Sequence, residues 1–395
     1  MHRTDDSLQQ AVLDTIQSGF PLEADPYGVL ANRFEASRDE IKDAVYGLCV
    51  AGGVRRVGAS FDSRKLGYTS TLCALAVPGG EEEVFKAAEI VNVFPGVTHN
   101  YGRAHRYNMW FTLITRSLEQ KHEILGMIRE ATGCDDLLDM PSIRKYKVSV
   151  DFGRHRAADK KRAGGEEEAA QQKHAPSLNQ SLDRTTREVQ TASSHRSDAS
   201  KAAPEDSGEP FSADNAFDVE LVRWAQDDIA RDEHGELIDD PYIAGATHLN
   251  AALGRSDIEP EHITARLAQL KAAGTIRRFG AMVRHQKIGF AHNSMTVWDI
   301  PDEVVDAAGE LFASAHFVSH CYTRPRSATW PTNLYAMTHA QTAEELMSNI
   351  ETLQVMLESQ GIECRQYFAL ETTNEYKKVS MRYFLEEHTP PLKTN

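Results

Sequence analysis

Leu8, Val12 and Ile16 recur at every fourth position near the start of the chain, the spacing that lines apolar side chains along one helix face. Tyr27 to Phe34 reads as a second helix. Ser37 with Glu40 forms a capping box that opens a third, whose apolar stripe is Ile41, Val45 and Leu48. The stretch "AGGVRRVGA" then turns out of that helix into a strand. Three short helices and a strand make the winged helix-turn-helix pattern. Next come β-like "STLCALAV", helix-like "EEEVFKAAEIVNVF", β-like "VTHNYGR" and "YNMWFTLIT", helix-like "LEQKHEILGMIREATG" and a closing strand near "SIRKYKV". That order, βαββαβ, predicts a ferredoxin-like sandwich with one helix-covered face and one open sheet face, where a partner or ligand can lie.

The pattern is written twice. "AGGVRRVGASFDSRKLGY" (Ala51–Tyr68) aligns without gaps on "AGTIRRFGAMVRHQKIGF" (Ala273–Phe290), and "DPYGVLANRF" meets "DPYIAGATHL". "SMTVWDI", "DEVVDAAGELFASA", "FVSHCYTR", "NLYAMTH", "TAEELMSNIETLQVMLESQG" and "ECRQYFAL" repeat the second module, and "IRKYKVSV" is echoed by "NEYKKVSM". Gene duplication explains this better than chance. Between Gly153 and Ala216 there is no Ile, Met, Trp or Tyr. Such a segment cannot bury enough surface to offset its ordering entropy, so a flexible linker is expected there. The fold class is therefore α+β, in two tandem copies. Winged helices are expected at residues 1–68 and 217–290, ferredoxin-like domains at 69–152 and 291–388, and the linker at 153–216.

A chain of 395 residues with 41% hydrophobic residues has enough material for cores of that size. No run is long and apolar enough to span a bilayer, and "MHRTDDSLQQ" lacks the apolar centre of a signal peptide, so a cytoplasmic protein without membrane attachment is expected. The five cysteines are scattered and form no CxxC pair, which argues against a disulfide framework, a structural zinc or a cysteine-held cluster. The net charge of −15 disfavours nucleic acid unless a basic patch is segregated. The third helices offer no such patch. Arg38, Asp39, Glu40, Lys42 and Asp43 occupy the exposed positions of the first, and Glu259, Glu261, His262, Arg266 and Lys271 those of the second. No DNA binding is expected, and the module serves instead as scaffold and dimerisation surface.

The polar chemistry gathers on one duplicated strand, "VTHNYGRAHRYN" and "VSHCYTRPRSATWPTN". Side chains two apart on a strand share a face, so His99, Tyr101, Arg103 and His105 are expected in one row, and His320, Tyr322, Arg324 and Arg326 in another. A single row of this kind is ordinarily a solvated sheet face, but its repetition in the same register points to a site. Trp110 and Trp330 add flat walls, Asn108 and Asn333 add amides, and Arg55, Arg56, Arg277, Arg278, Lys145, Lys147, Lys377 and Lys378 are candidate outer cations. The sum suggests a pocket for a flat, apolar-faced polyanion, because carboxylates favour bidentate Arg and a macrocycle favours aromatic cover.

At these motifs both copies resemble the siroheme decarboxylases, relatives of the Lrp/AsnC regulators used in heme d1 synthesis and the siroheme-dependent route to heme. "GVTHNYGRAHRYNMWFTL" is similar to one subunit type and "HCYTRPRSATWPTNLYAMTH" to the other, which here are fused into an intramolecular pseudo-heterodimer that leaves room for further homo-oligomerisation. The resemblance implies conversion of siroheme, with its eight carboxylates, to 12,18-didecarboxysiroheme and two carbon dioxides, with no cofactor beyond the substrate's iron. Under it His99 and His320 are candidate proton donors with Tyr101 and Tyr322 orienting or relaying, though either histidine could instead ligate the substrate iron. An Lrp/AsnC-type regulator sensing heme or an amino acid is the alternative.

Overall fold

A computed structural model describes residues 6–148, 208–283 and 292–385. Most of the expected linker, up to residue 207, lies outside the described residues, as does the segment 284–291 that closes the second aligned motif.

The first copy opens with α1 (Asp6–Ser18), α2 (Pro26–Phe34), α3 (Arg38–Val50) and the wing strand β1 (Val54–Phe61). Val12, Ile16, Ile41 and Val45 are fully buried, as the periodicity requires. The capping box is in place: Ser37 Oγ accepts from the Glu40 amide at 3.2 Å, and Glu40 accepts from the Ser37 amide at 2.8 Å. There follow β2 (Thr69–Leu75), α4 (Glu81–Asn92), β3 (Val97–Arg103), β4 (Met109–Thr115), α5 (Leu118–Thr132), β5 (Leu137–Pro141) and β6 (Arg144–Val148). The second copy gives α6 (Ala216–Ala225), α7 (Pro241–Leu253), α8 (Pro260–Ala272), β7 (Ile276–Val283), β8 (His292–Asp299), α9 (Val305–Ser314), β9 (Val318–Thr323), β10 (Leu334–Ala340), α10 (Ala343–Ser359) and β11 (Gln366–Lys378). The "LLDM" strand β5 has no counterpart in the sequence reading. Strand β11 runs through both "RQYFAL" and "NEYKK", read there as separate pieces.

Nine strands form one sheet in the order β5-β2-β4-β3-β11-β8-β10-β9-β6. The copies exchange their last strands. The first half of β11 pairs with β8 of its own copy and the second half with β3 of the other, while β6 of the first copy closes the β9 edge of the second. The two wings also pair, β1 antiparallel to β7, with Gly58 opposite Gly280. A Cβ on Gly58 would lie 2.5 Å from the Asp227 carbonyl oxygen, and one on Gly280 would lie 2.4 Å from that of Ile16. The duplicated glycine therefore lets a helix end of one copy pass against the wing of the other. Both helical modules share a single apolar core.

The expected open sheet face is corrected by the structure, because each copy covers the other. Trp110, Leu138 and Met140 of the first copy meet Val297, Trp330, Tyr335 and Leu370 of the second in one buried cluster. The two tryptophans are 1% and 2% exposed, with ring centroids 5.5 Å apart. Their N–H groups are satisfied: Trp110 donates to the Tyr107 carbonyl and Trp330 to the Tyr335 hydroxyl, both at 2.7 Å. Arg266, expected on the exposed face of α8, is instead buried in a two-pronged pair with Asp218. Among the described residues no helix is long and apolar enough to cross a membrane.

Because Trp330 is core, Trp330→Ala should lower unfolding stability by about 3–5 kcal/mol in a denaturant titration. A wall of an open pocket would leave the midpoint where it is.

Candidate active site

The polar strands carry a bulge at the same point in each copy. On β3 the register against β4 shifts between Val97 and His99, and on β9 the register against β10 shifts between Val318 and His320. A bulge re-aims the side chains that follow it. Val97 and Val318 enter the helix-side cores, whereas His99, Tyr101 and Arg103, and likewise His320, Tyr322 and Arg324, face inward with the tryptophan cluster. Tyr101 sits opposite Trp110, and Tyr322 opposite Tyr335. Each histidine stacks on its tyrosine with centroids 6.3 Å apart. Arg103 lies 5.4 Å over the Tyr101 ring, and Arg324 lies 5.2 Å over Tyr322. The bulged residue supplies a hydroxyl to the ring beside it, Thr98 Oγ1 at 3.0 Å from His99 Nδ1 and Ser319 Oγ at 2.8 Å from His320 Nδ1.

The two arginines each hold a strand of the other copy. Arg103 donates to the Leu370 carbonyl at 2.9 Å and to Thr372 Oγ1 at 2.6 Å, and Arg324 donates to the Met140 carbonyl at 2.6 Å. Burial pulls Arg103 down to about 10, which leaves it charged at neutral pH, and burial lowers Arg324 as well. In both, the buried Nε has no acceptor among the described residues, the same donor orphaned at the same place in each copy.

Beside His99 opens a cavity of about 390 Å³, lined by the wings (Arg55, Arg56, Ser60, Arg277), by Thr98 and Ile114, and by the end of β11 and the segment after it (Lys378, Ser380, Tyr383). Asp62 pairs with Arg277 at 3.1 Å and Glu375 with Lys378 at 3.6 Å, but Arg55 donates to Ser380 Oγ and Arg56 to the Ala59 carbonyl. Two guanidinium groups thus meet neutral oxygens, with no carboxylate ion-paired to either among the described residues, although the charges of Asp227 and Asp228 act on Arg56. Burial lowers the His99 pKa, and the Lys378 ammonium lowers it further. Burial lowers His320 as well, and the charge of His99 is the next cause, so the two rings share one electrostatic neighbourhood. Burial raises Tyr322, opposed by Arg324, Arg277 and Arg64. The arrangement can hold several carboxylates of one ligand and offer it the His99 imidazole.

The structure separates the sequence-derived candidates. Arg55, Arg56, His99, Arg277 and Lys378 come together on the cavity, with Tyr101, Arg103, His320, Tyr322 and Arg324 on the inner faces behind it. The others lie elsewhere. Trp110 and Trp330 are inter-copy core. Asn108 clamps both the amide and the carbonyl of Val77, and Asn333 does the same to Ile300. Strand β3 ends at Arg103, so His105 leaves the row and packs on Trp330 and Phe368 at 5.2 and 5.1 Å. Strand β9 ends at Thr323, and Arg326 turns back to Asp299 and Asp302. Lys147 caps the end of α9 through the Ala315 carbonyl at 2.7 Å, and Lys377 caps α4 through Asn92 at 2.6 Å. Arg278 is half-buried beside Met282, and Lys145 is exposed on β6. Sequence reasoning missed Thr98, Ser319, Ser380, Tyr383 and His339. The apolar "MRYF" after the last strand signalled the return of that segment to a core. His339, whose Nε2 is 2.7 Å from Ser319 Oγ, gave no signal beyond its place in a strand.

The AsnC-like ligand binding domain model matches residues 65–147 and 287–377. The chain is similar to a siroheme decarboxylase NirDL subunit of Paracoccus pantotrophus, 30% identical over 373 residues, covering 93% of this chain and 95% of that one. The first copy is similar to the siroheme decarboxylase alpha subunit of Desulfovibrio desulfuricans, 47% identical over 147 residues, which is 37% of this chain and 83% of the subunit. The fold is that of a crystal structure of the siroheme decarboxylase NirDL, with a TM-score of 0.63 at 24% identity over 96% of this chain and 94% of that one.

Burial, and then the charge of His320, pull His339 down to about 4, against about 6.5 for an unfolded histidine. The unfolded chain therefore binds the extra proton first. The stability of neutral His339 is fully present above about pH 6.5 and declines as pH falls toward 4. His339→Leu should narrow the stability difference between pH 7.5 and pH 4.5 by about 2–3 kcal/mol in urea titrations. An unchanged difference would show that the ring is not held neutral.

Proposed function

The chain belongs to the siroheme decarboxylases, and from that premise we propose that the cavity and the paired histidine strands bind siroheme and convert it to 12,18-didecarboxysiroheme with release of two carbon dioxides. The observation that carries this reading is the meeting of Arg55, Arg56, Arg277 and Lys378 with His99 on one cavity, in a chain whose net charge is −15. An acidic protein that concentrates cations in one recess is built for a polyanion.

The substrate brings its own iron, and no other cofactor is invoked. In each step the bond between a ring acetate's methylene and its carboxylate breaks, carbon dioxide leaves, and the electron pair stays on the methylene carbon, where the macrocycle can delocalise it. One proton added there completes a methyl group. The wing arginines and Lys378 hold the carboxylates that stay, through charge-assisted hydrogen bonds. Arg103 and Arg324 fix the strands against which the ring lies. His99 and His320 are the proton donors, with Tyr101 and Tyr322 stacked beneath them to set the ring planes. The covered inner faces keep water from the developing carbanion.

The two copies act as the two subunit types fused, sharing one site and one macrocycle per chain. The product suits heme d1 synthesis or the siroheme-dependent route to heme. Five free cysteines, four of them buried, suit the reducing cytoplasm. The alternative reading as a DNA-binding regulator is disfavoured by α3. Its Arg38 pairs with Asp25 and Asp240, and its Lys42 pairs with Asp239, so the charges that would meet phosphate are neutralised. We propose that the module does not bind DNA.

Anaerobic incubation with siroheme should give a product lighter by two carbon dioxides per macrocycle, and an unchanged mass would leave a carrier or sensor. His99→Ala and His320→Ala should each be made, and the change that removes the general acid should cost about 10²- to 10⁴-fold in turnover. Full turnover by both variants would refute the donor assignment. Because both rings are held below the usual histidine range, the arriving carboxylates should raise them, and binding near pH 6.5 should take up protons. Calorimetry in buffers of different ionisation heat measures that uptake, and its absence would contradict the placement of the ligand beside the rings.

A further inference from the structure

The duplicated histidines differ in what stands behind them. Behind His320 the chain has two links, His320 Nδ1 at 2.8 Å from Ser319 Oγ and Ser319 Oγ at 2.7 Å from His339 Nε2. Behind His99 the chain has one link, Thr98 Oγ1 at 3.0 Å. The register explains the difference. His99 faces Thr112 and His320 faces Met337, so two residues further along the neighbouring strand the first copy has Ile114 where the second has His339. Ser319 is 1% exposed, so water does not compete for its hydroxyl.

We propose that His339 is a positioning residue that, through Ser319, fixes the tautomer of His320 and makes it the proton donor of the pair. Resting on the decarboxylase reading above, this assigns unequal roles to the two histidines. Ser319 has one hydroxyl proton, so it must accept from one ring and donate to the other. If His339 donates from Nε2 and Ser319 donates to Nδ1 of His320, both neutral rings hold their proton on Nε2, the tautomer that imidazole side chains favour in water. The opposite polarity forces both rings into the less favoured form. The first arrangement leaves an N–H on the Nε2 atom of His320, a group that can donate a proton and cannot ligate iron. The carboxylates of the bound ligand favour the protonated ring, so His320 gives its Nε2 proton to the methylene carbon as an imidazolium and is left neutral; solvent then restores the proton, and the N–H of His339 holds the Ser319 oxygen on Nδ1. His99 has no second ring to do this, which fits it for holding a carboxylate in the cation-rich cavity.

The test uses the full chain under anaerobic turnover with siroheme, the wild type alongside. His339→Leu reproduces the apolar residue of the first copy, so it should fold. It should lower kcat by on the order of ten- to a hundredfold with KM little changed, as loss of a ring-orienting partner does elsewhere. His339→Gln, whose amide N–H can donate to Ser319, should recover most of the loss. Ser319→Ala should match His339→Leu, and the double variant should be no worse than either, because the groups act as one chain. Full kcat in His339→Leu beside an active wild type overturns the relay alone, as does a loss that Gln fails to recover or that adds to Ser319→Ala. A wild type that leaves siroheme unchanged overturns the decarboxylase reading and the relay together.

Discussion

Strand β3 would end its half of the sheet as a bare edge if β11 did not lie along it, and β9 would do the same without β6. An uncovered edge of that length is a template for misassembly, and here each copy closes the other's. Because the exchanged strands come from opposite halves of the chain, the exchange brings the two inner faces together. That contact buries Trp110 and Trp330, and the cavity beside His99 opens against the paired wings. The Arg103 bond to β11 and the Arg324 bond to β5 of the other copy join this scaffold to the polar rows. Neither half could make the site by itself, since its His-Tyr-Arg strand would lack both the partner edge and the partner wing.

Duplication gave the chain two equivalent rows, and divergence has made them unequal. Lys378 on the His99 side corresponds to Val148 at the end of β6, and Ile114 corresponds to His339. One row has cations at its mouth and the other has a second ring behind it. An intramolecular pairing allows this, because each half always meets the same neighbour and the two can specialise in binding and in proton delivery.

Much of the fold was legible in the sequence. The helix stripes, the capping box at Ser37 and the gapless Arg-Arg-x-Gly-Ala match are local signals, and local structure follows them. The match between copies also marked the bulged strands. What the sequence could not convey was long-range. Alternation along β4 says that Trp110 points away from the helices, but not that another sheet waits there. The rows were extended to His105 and Arg326 by period-two counting, which has no means of knowing that β3 ends at Arg103 and β9 at Thr323. Lys147 and Lys377 looked like free cations because the helix ends they cap are distant in sequence. His339 was invisible for a similar reason, since only the bulge at Ser319 brings the hydroxyl between two rings on different strands.

We propose that both copies build one site. Spectroscopic titration of the chain with siroheme under anaerobic conditions is the sharpest test. Saturation is expected at one macrocycle per chain, with His99→Ala and His320→Ala each perturbing that single event. Two equivalent macrocycles per chain, each answering to one histidine alone, would contradict it.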